Sequence, residues 1–440
     1  MSESAAIRRA PGGWLAPGGW LAIGVSLAIV LGLAPASRAA ASAAVVDAAW
    51  LQYGPNGSIE ARAVVASVGC PRVRVDGVER AMRLRAAANA GFPTICSAAI
   101  PRAAHAIAIA GHALPRPVER VRRIVVIGDT GCRIQGAIVQ DCADPRRWPF
   151  PRIAAAAARA RPDLVIDVGD YLYRESPCPP GNATCAGSPY GDRWATWRAD
   201  FFAPAAPLLA AAPWVVVRGN HEACGRAGTG WLRLLGPDPV GPGERCAAHL
   251  PPYRVAIGPL DLVVMDDADA PDVRLDRALV PRYRREFAAL AHAPAPSWLL
   301  MHRPIWGAIA GPLDIPIGGN ATLIAAIGRA GIPAPVRLML AGHIHRFEAL
   351  NYGGPRRVPP QLIAGFGGDR LDRAPRELGG AIFQGDSGVT VTRGVSIPGF
   401  GFVVLRRAAR GWDVDVHDVA GGVERRCWFR GGRVGCAPRR

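Results

Sequence analysis

Six short apolar runs after Arg122 constrain the fold of this chain more than any other feature. They cover residues 124–127, 164–168, 214–217, 262–265, 298–301 and 336–340. Alanine-rich stretches such as residues 153–160, which favour helix, lie between them. Continuous β-branched runs are typical of strands buried on both faces, and their alternation with helices predicts an α/β layered domain. We assign this domain to residues 118–440.

The part of the chain before this domain has a different pattern. Residues 44–117 alternate short apolar runs with turn signals such as Tyr53-Gly54-Pro55-Asn56-Gly57. Short strands at this spacing predict a small β-sandwich-like domain. It lacks a cluster of metal-type ligands, so we expect it to act as a lid or a platform.

The first 43 residues resemble an export signal. Arg8 and Arg9 give a positive start, residues 20–34 are apolar, and either Ala39-Ala40-Ala41 or Ala41-Ser42-Ala43 offers a cleavage site of small residues. An uncleaved membrane anchor is the alternative. The segment predicts a periplasmic or secreted protein.

The ten cysteines fit an oxidising compartment. They fall as neighbours along the sequence, and none has the C-x-x-C spacing of a zinc site. Local disulfides are therefore the simplest prediction, although sequence alone permits other pairings. The predicted pairs are Cys70 with Cys96, Cys132 with Cys142, Cys178 with Cys185, Cys224 with Cys246, and Cys427 with Cys436.

The net charge is +17, and every basic residue is arginine because the chain contains no lysine. Such a surface attracts phosphate-bearing substrates or anionic surfaces. The arginines do not form a compact basic run, so we predict no specific nucleic-acid partner. We also expect no stable membrane partner unless the leader remains as an anchor.

Five of the six strands in the main domain end in a short polar cluster. The clusters are Gly128-Asp129-Thr130-Gly131, Gly169-Asp170-Tyr171-Leu172-Tyr173, Gly219-Asn220-His221-Glu222, Met301-His302-Arg303 and Gly342-His343-Ile344-His345. In an α/β sheet, side chains that follow the strands meet at one edge. The sequence therefore predicts a single site built from all five clusters.

The side chains in these clusters are ligands for hard or borderline metal ions, and no thiolate joins them. Seven candidate ligands are too many for one tetrahedral centre, so we expect two ions with Asp170 bridging them. The candidates are Asp129, Asp170, Tyr173, Asn220, His302, His343 and His345. Asp266, Asp267 and Asp269 also follow a strand, but for them we prefer loop-capping roles.

The five clusters resemble the signature of the metallophosphoesterase (calcineurin-like) superfamily, and the variant present here is similar to that of the purple acid phosphatases. The resemblance covers residues 124–345. It implies a layered metallophosphoesterase-type β-sandwich flanked by helices. Most of the superfamily has a histidine two residues after Asp129, where this chain has Gly131. The resemblance implies that Tyr173 replaces that ligand as a phenolate, which favours Fe³⁺ at the first position.

Carried over by motif, the resemblance places two groups of ligands. The first group, for Fe³⁺, comprises Asp129, Asp170, Tyr173 and His345. The second group, for a divalent ion such as Zn²⁺, Mn²⁺ or Fe²⁺, comprises Asp170, Asn220, His302 and His343. The activity implied is hydrolysis of phosphate esters, most simply monoesters, by a metal-bound hydroxide.

Four further residues have expected roles near these metals. We expect His221 to protonate the leaving group or stabilise the transition state. Glu222 either orients His221 or makes a structural hydrogen bond. Arg303 and Arg218 are candidates for binding the substrate phosphate, or else structural arginines.

Two other functions stay open from the sequence. A phosphodiesterase or nucleotidase of the same superfamily would use the same ligands, with its preference set by loops that carry Trp194, Trp197, Trp231 and Trp306. A non-catalytic exported protein that binds metal or phosphate would also use them. His221 distinguishes this last case, because it is needed for turnover and not for binding metal.

Overall fold

The computed structural model describes residues 45–438 except residues 68, 242, 384, 386 and 387. The predicted leader, residues 1–43, lies outside the described residues. Among those described, no helix combines the length and apolar character needed to cross a membrane.

The N-terminal part is built of strands, as the sequence predicts. They are β1 (Val46–Tyr53), β2 (Ile59–Val65), β3 (Arg72–Val75), β4 (Val78–Ala81), β5 (Arg83–Ala86), β6 (Thr94–Ala99), β7 (Ile107–Ile109) and β8 (His112–Leu114). This confirms the all-β character expected before residue 118.

Strands and helices then alternate. They are β9 (Arg123–Ile127), β10 (Ile134–Gln135), β11 (Ile138–Val139), α1 (Phe150–Arg159), β12 (Leu164–Asp167), α2 (Trp194–Trp197), α3 (Ala203–Leu209), β13 (Trp214–Val216), α4 (Gly228–Leu234), β14 (Tyr253–Ile257), β15 (Leu260–Val264), α5 (Val280–Ala289), β16 (Ser297–Leu300), β17 (Ala308–Ala310), β18 (Pro316–Gly318), α6 (Ala321–Ile327) and β19 (Val336–Ala341). All six predicted strands are present.

The remaining regular elements are mainly strands. They are β20 (Phe347–Gly353), β21 (Gln361–Ala364), β22 (Ile382–Phe383), β23 (Thr390–Ile397), β24 (Gly401–Arg407), β25 (Trp412–Asp418), β26 (Val423–Arg430) and β27 (Arg433–Cys436). Short helical turns cover Pro55–Gly57, Arg198–Phe202, Asn220–Glu222, Leu290–His292 and Pro312–Asp314.

Two large sheets form the centre of the molecule. The first has eleven strands in the order β27-β26-β25-β24-β9-β12-β13-β1-β2-β6-β5, and the second has seven in the order β14-β15-β16-β19-β21-β20-β23. Strands β9, β12 and β13 run parallel, as do β15, β16, β19 and β21. Each sheet therefore presents several carboxyl ends on one edge.

The apolar runs are continuous because both faces of these strands are covered. In β9, Ile124 and Val126 belong to the core between the sheets, whereas Val125 and Ile127 pack with α1 residues such as Ile153. On the second sheet, Leu299 packs with residues of α5 and α6. The result is a β-sandwich flanked by helices, which confirms the predicted fold class.

The N-terminal strands do not stand apart from the main sheets. Strand β1 pairs in parallel with β13, through Gln52 and Trp214. Strands β2, β6 and β5 continue the same sheet, whereas β4, β3, β7 and β8 form a separate four-stranded one. The boundary at residue 117 stays a prediction, with the large sheet containing strands from both sides of it.

All five predicted disulfides are present. The bonds join Cys70 to Cys96, Cys132 to Cys142, Cys178 to Cys185, Cys224 to Cys246, and Cys427 to Cys436. Each one closes a local loop, so the bonds staple loops and strand pairs rather than distant parts of the chain.

Buried polar side chains of the N-terminal strands cap the carboxyl end of α4. Arg62 Nη1 donates to the Leu234 carbonyl at 2.9 Å and Arg85 Nε to the Arg233 carbonyl at 3.0 Å. Gln52 Nε2 donates to the Leu235 carbonyl at 2.6 Å. The last carbonyl groups of a helix have no intrahelical partner, so these side chains satisfy them.

Replacing Arg85 by methionine should lower the free energy of unfolding by about 2–4 kcal/mol, because buried carbonyl groups lose their donors. Arg83→Met is the matched control, since Arg83 is exposed two residues away on the same strand. Denaturant unfolding of both variants measures the difference. Equal stability of the two variants would contradict the capping role.

Candidate metal centre

The five polar clusters lie at the carboxyl ends of parallel strands from both sheets. Asp129 follows β9, Asp170 and Tyr173 follow β12, Asn220 follows β13, His302 follows β16, and His343 and His345 follow β19. The sandwich therefore brings two sheet edges together, and the side chains of one edge face those of the other.

The hydroxyl group of Tyr173 is the meeting point of the first group of predicted ligands. It lies 3.0 Å from Asp129 Oδ1, 2.9 Å from Asp170 Oδ2 and 3.1 Å from His345 Nε2. His345 Nε2 is also 3.2 Å from Asp129 Oδ1. Four donor atoms from three separate clusters thus surround one small space.

The second group gathers around His302. Its Nε2 atom lies 3.1 Å from Asp170 Oδ2 and 3.1 Å from Asn220 Oδ1. Ligand atoms of Asp170, His302 and His343 all lie within 4.8 Å of one another. Asp170 therefore takes part in both groups.

Three of the seven predicted metal ligands have left-handed backbone conformations. The φ angles are 56° at Asp129, 62° at Asp170 and 69° at His343. A non-glycine residue in this region is disfavoured by roughly 1–2 kcal/mol, and such residues concentrate at functional sites. These three conformations all occur just after a strand ends, among the predicted metal ligands.

Gly131 is where the first group departs from the common pattern. A Cβ atom at this position would lie 2.8 Å from Tyr173 Cδ2 and 2.7 Å from the Tyr171 carbonyl oxygen. The tyrosine ring occupies the space that a side chain at residue 131 would need. A histidine at this position and Tyr173 in its observed place are therefore mutually exclusive.

Two buried carboxylates hold the ligand loops. Glu222 accepts backbone N–H bonds from Asp170 at 3.1 Å, Tyr171 at 2.9 Å and Leu172 at 3.1 Å. Asp267 accepts those of His302 at 3.1 Å and of the next residue at 3.0 Å. Burial raises the pKa of Asp267 to about 7, and burial together with Asp170 raises that of Glu222 to about 8.

These contacts decide between the roles that the sequence left open. Glu222 makes structural hydrogen bonds to the Asp170 loop. Asp266 and Asp267 cap loops as expected, since Asp266 accepts the N–H groups of Leu250 at 2.9 Å and Ala268 at 3.1 Å. Asp269 instead accepts from the Tyr283 hydroxyl group at 2.5 Å.

The electrostatics of the centre favour positive charge. Burial lowers the pKa of His302, but Asp170 more than offsets this and raises it to about 10. Burial likewise lowers the pKa of His345, and Asp369 and Asp129 raise it to about 10. Burial and the same carboxylates raise the pKa of Tyr173, so its hydroxyl group keeps its proton unless a cation is close. Oxygen and imidazole donors in an anionic pocket fit hard or borderline metal ions.

His221 lies beside the centre without being one of its close donors. Its ring lies over that of Tyr173 with centroids 3.7 Å apart, and its Nε2 is 3.8 Å from Asp170 Oδ2. Glu175 Oε1 is 2.8 Å from His221 Nδ1, and Arg226 lies 2.7 Å from the same nitrogen. Sequence reasoning missed Glu175, although it follows Tyr173 by only two residues.

The two candidate phosphate-binding arginines have different surroundings. Arg303 pairs with Asp272, and its Nη1 is 3.2 Å from His343 Nε2, at the edge of the centre. Arg218 is buried and donates to the carbonyl groups of Glu222 at 2.9 Å and Ala247 at 2.8 Å. These contacts favour the structural alternative for Arg218.

Two other residues near Tyr173 were not predicted. Asp369 Oδ2 is 3.2 Å from His345 Nδ1, and Arg133 Nε is 3.0 Å from the same oxygen. The guanidinium of Arg133 also lies 4.8 Å from the centroid of the Tyr173 ring. Asp369 comes from the loop after β21, and a lone aspartate there gives no signal in the sequence.

The four loop tryptophans considered as stacking partners are buried. Trp197 and Trp306 are fully enclosed, and Trp194 and Trp231 have little exposed surface. Trp197 and Trp231 belong to the core that packs against the first sheet. These positions favour packing over contact with a substrate.

Comparisons with known proteins give the same result as the motifs. A family model described as calcineurin-like phosphoesterase matches residues 122–347, more than half of the chain. The structure of purple acid phosphatase PPD1 from yellow lupin (Lupinus luteus) seeds is similar with a TM-score of 0.52 and 15% identity, over 85% of this chain and 72% of that one. The structure of PhoD has a TM-score of 0.50 and 13% identity, over 89% of this chain and 92% of that one. At these identities both structures support the fold alone. No curated protein sequence matches the chain.

Replacing Glu222 by glutamine should weaken metal binding by about 10- to 100-fold, as loss of support behind a ligand typically does. The amide nitrogen would face backbone N–H groups, and the Asp170 loop would shift. Asp163→Asn is the control, because Asp163 accepts the N–H groups of Arg122 and Arg123, both at 2.8 Å, near the start of β9. Competition with a chelator for Zn²⁺ measures both affinities. Unchanged affinity in Glu222→Gln would contradict its supporting role.

Proposed function

We propose that this chain, which belongs to the calcineurin-like phosphoesterase family, is an exported phosphomonoesterase of the purple acid phosphatase type with two metal ions. The predicted family resemblance is correct, and the chain is a phosphoric ester hydrolase. The proposal of two metal ions is supported chiefly by the position of Asp170 Oδ2, which lies 2.9 Å from the Tyr173 hydroxyl group and 3.1 Å from His302 Nε2. Two groups of donors thus share one carboxylate.

The residues of each group suit different ions. Asp129, Asp170, Tyr173 and His345 would hold Fe³⁺, because carboxylates and a phenolate are hard anionic donors. Asp170, Asn220, His302 and His343 would hold a divalent ion, namely Zn²⁺, Mn²⁺ or Fe²⁺. When bound, the two ions would activate a water molecule and neutralise charge on the phosphoryl oxygens.

The protein's own groups would then orient the substrate and supply a proton. Arg303, at the edge of the centre, would bind a phosphate oxygen through a guanidinium N–H group. His221 is held by Glu175, whose Oε1 lies 2.8 Å from His221 Nδ1. Arg226 also contacts this ring, with its Nη2 2.9 Å from His221 Nε2, so the two charged side chains fix the position of the imidazole. In its protonated form, His221 can deliver a proton from Nε2 to the leaving oxygen.

Export is supported by chemistry as well as by the leader-like segment. The ten cysteines form five disulfides. Structural disulfides persist in oxidising compartments, so the proposal places the mature protein in the periplasm or outside the cell.

His221→Ala is expected to keep both metal ions and to lose about 10²–10⁴-fold in kcat for phosphate monoesters, since a general acid is removed. His249→Gln is the control, because His249 also pairs with a carboxylate, Glu286, at 2.7 Å. Metal analysis and steady-state kinetics give the two readouts. Full activity in His221→Ala would remove its assigned role. Metal-loaded wild-type protein without turnover would favour the binding protein over the enzyme.

Tyr173→Phe should abolish a visible phenolate-to-iron absorption band that the iron-loaded wild type shows, because the phenolate oxygen is the donor. Tyr171→Phe is the matched control. Tyr171 is equally buried, and its hydroxyl group donates to the Val217 carbonyl at 2.9 Å rather than to the centre. Absorption spectra at equal iron content decide the matter. A colourless wild type with full iron would return Tyr173 to a packing role.

A further inference from the structure

A cavity of about 270 Å³ adjoins the metal centre. His343 and Asp272 line it, and Asp272 Oδ1 lies 2.9 Å from His343 Nε2. A group bound in this cavity is therefore next to a residue proposed to hold the second metal ion. The cavity is close enough to receive the part of a substrate that is attached to the phosphate.

The other walls of the cavity are mostly apolar. Val273, Pro304, Ile309, Ile317 and Ile344 contribute side chains. Glycines at positions 307, 318 and 319 contribute backbone alone. The polar Asn320 in this wall is already engaged, since its Oδ1 accepts the Leu323 N–H at 3.0 Å and its Nδ2 donates to the Pro271 carbonyl at 3.1 Å. The carboxylate of Asp372 also lines the cavity, and its Oδ2 accepts the His345 N–H at 2.8 Å. The rest of this wall is apolar side chain and glycine backbone.

Large apolar side chains around the cavity are exposed. The exposed fraction is 72% for Val273, 95% for Leu313 and 58% for Ile382. Ile382 lies on β22, which pairs with β18 at Ile317 in the cavity wall, and Leu313 lies in the loop that joins β17 to β18. Such a local concentration of exposed apolar surface marks a binding region.

The carboxylate of Asp272, on the side of the cavity next to the metal centre, has a positively charged partner. Asp272 forms an ion pair with Arg303, and its Oδ1 lies 2.9 Å from His343 Nε2. Its carboxylate is therefore not an unpaired negative charge that would repel a phosphate. The ionic part of a substrate would lie at the metal centre and Arg303, and its uncharged part would lie against the apolar walls.

We propose that this cavity is a subsite for an apolar alcohol group, so that the substrates are phosphate monoesters of an alkyl or aryl alcohol. A dry cavity of about 150 Å³ can hold a benzene ring, so one of this size has room for a group somewhat larger. This inference rests on the proposed function, because the proposed metal centre determines where the phosphate group of the substrate would lie. It goes further in naming the chemical class of the alcohol.

A series of n-alkylphosphonates from ethyl to hexyl tests the subsite by binding alone, in metal-loaded full-length protein and below micelle-forming concentrations. Each added methylene group should tighten the Kd by about two- to fourfold until the cavity is full. Calorimetry measures the Kd values, and inorganic phosphate is the reference ligand. A matching series of n-alkyl phosphates should show the same trend in kcat/KM, since the leaving-group pKa hardly changes along it.

Val273→Ser should weaken hexylphosphonate binding by about three- to tenfold and leave binding of inorganic phosphate unchanged. The side chain is largely exposed, so its loss leaves the fold intact. Ile317→Thr is a second variant within the wall. Leu84→Ser, at an exposed apolar residue on β5 outside this cavity, is the control and should bind like the wild type.

The outcomes separate the two proposals. Turnover of ethyl phosphate with affinities independent of chain length would overturn the subsite and leave the proposed function standing. Length-dependent binding without any turnover would support the subsite and contradict the enzyme function. Equal affinities along the series, combined with reduced association of Val273→Ser with phosphatidylcholine vesicles, would make the apolar face a lipid-surface contact and overturn the subsite.

Discussion

The buried carboxylate of Asp170 is the group on which the rest of the centre depends. One oxygen lies between the Tyr173 hydroxyl group and His302 Nε2, and the other accepts the His221 N–H at 2.8 Å. Burying a carboxylate is costly unless charges or hydrogen bonds compensate it. Burial raises the pKa of Asp170, yet His302 and His221 hold it well below its ordinary value. The charged form is thus kept in the interior, where a cation can use it.

Asp170 is held in a left-handed backbone conformation that a non-glycine residue disfavours, so the surrounding loop has to be rigid. The positive φ of Asp170 is maintained because Glu222, from the next cluster, accepts N–H bonds from three consecutive residues of the loop. Gly219 lies so near that a Cβ atom there would be 2.1 Å from Asp170 Oδ1. The four residues of the Gly-Asn-His-Glu cluster therefore supply a proposed metal ligand, a proposed proton donor, a close-packing glycine and the carboxylate that supports the loop.

The sequence was sufficient for the strands and for the donors that follow them. Buried parallel strands give continuous apolar runs, and their carboxyl ends lie at the same edge of the sheet regardless of the conformation of the loops. Glu175, Asp272, Asp369 and Arg133 could not be found this way. Their contacts depend on the three-dimensional path of the loops after the strands, and a single charged residue in a loop carries no periodic signal.

The N-terminal strands show how a region without ligands can still affect the site. Strand β1 pairs with β13, whose end carries Asn220, and Arg62 and Arg85 cap the helix that follows this turn. The loop with Asn220 and His221 thus lies between β13 and α4, and both of these elements contact the N-terminal strands. A displacement of 1 Å at a catalytic group can cost about 10²-fold in rate. Contacts that fix both sides of this loop therefore favour a platform over a lid as the role of the N-terminal region.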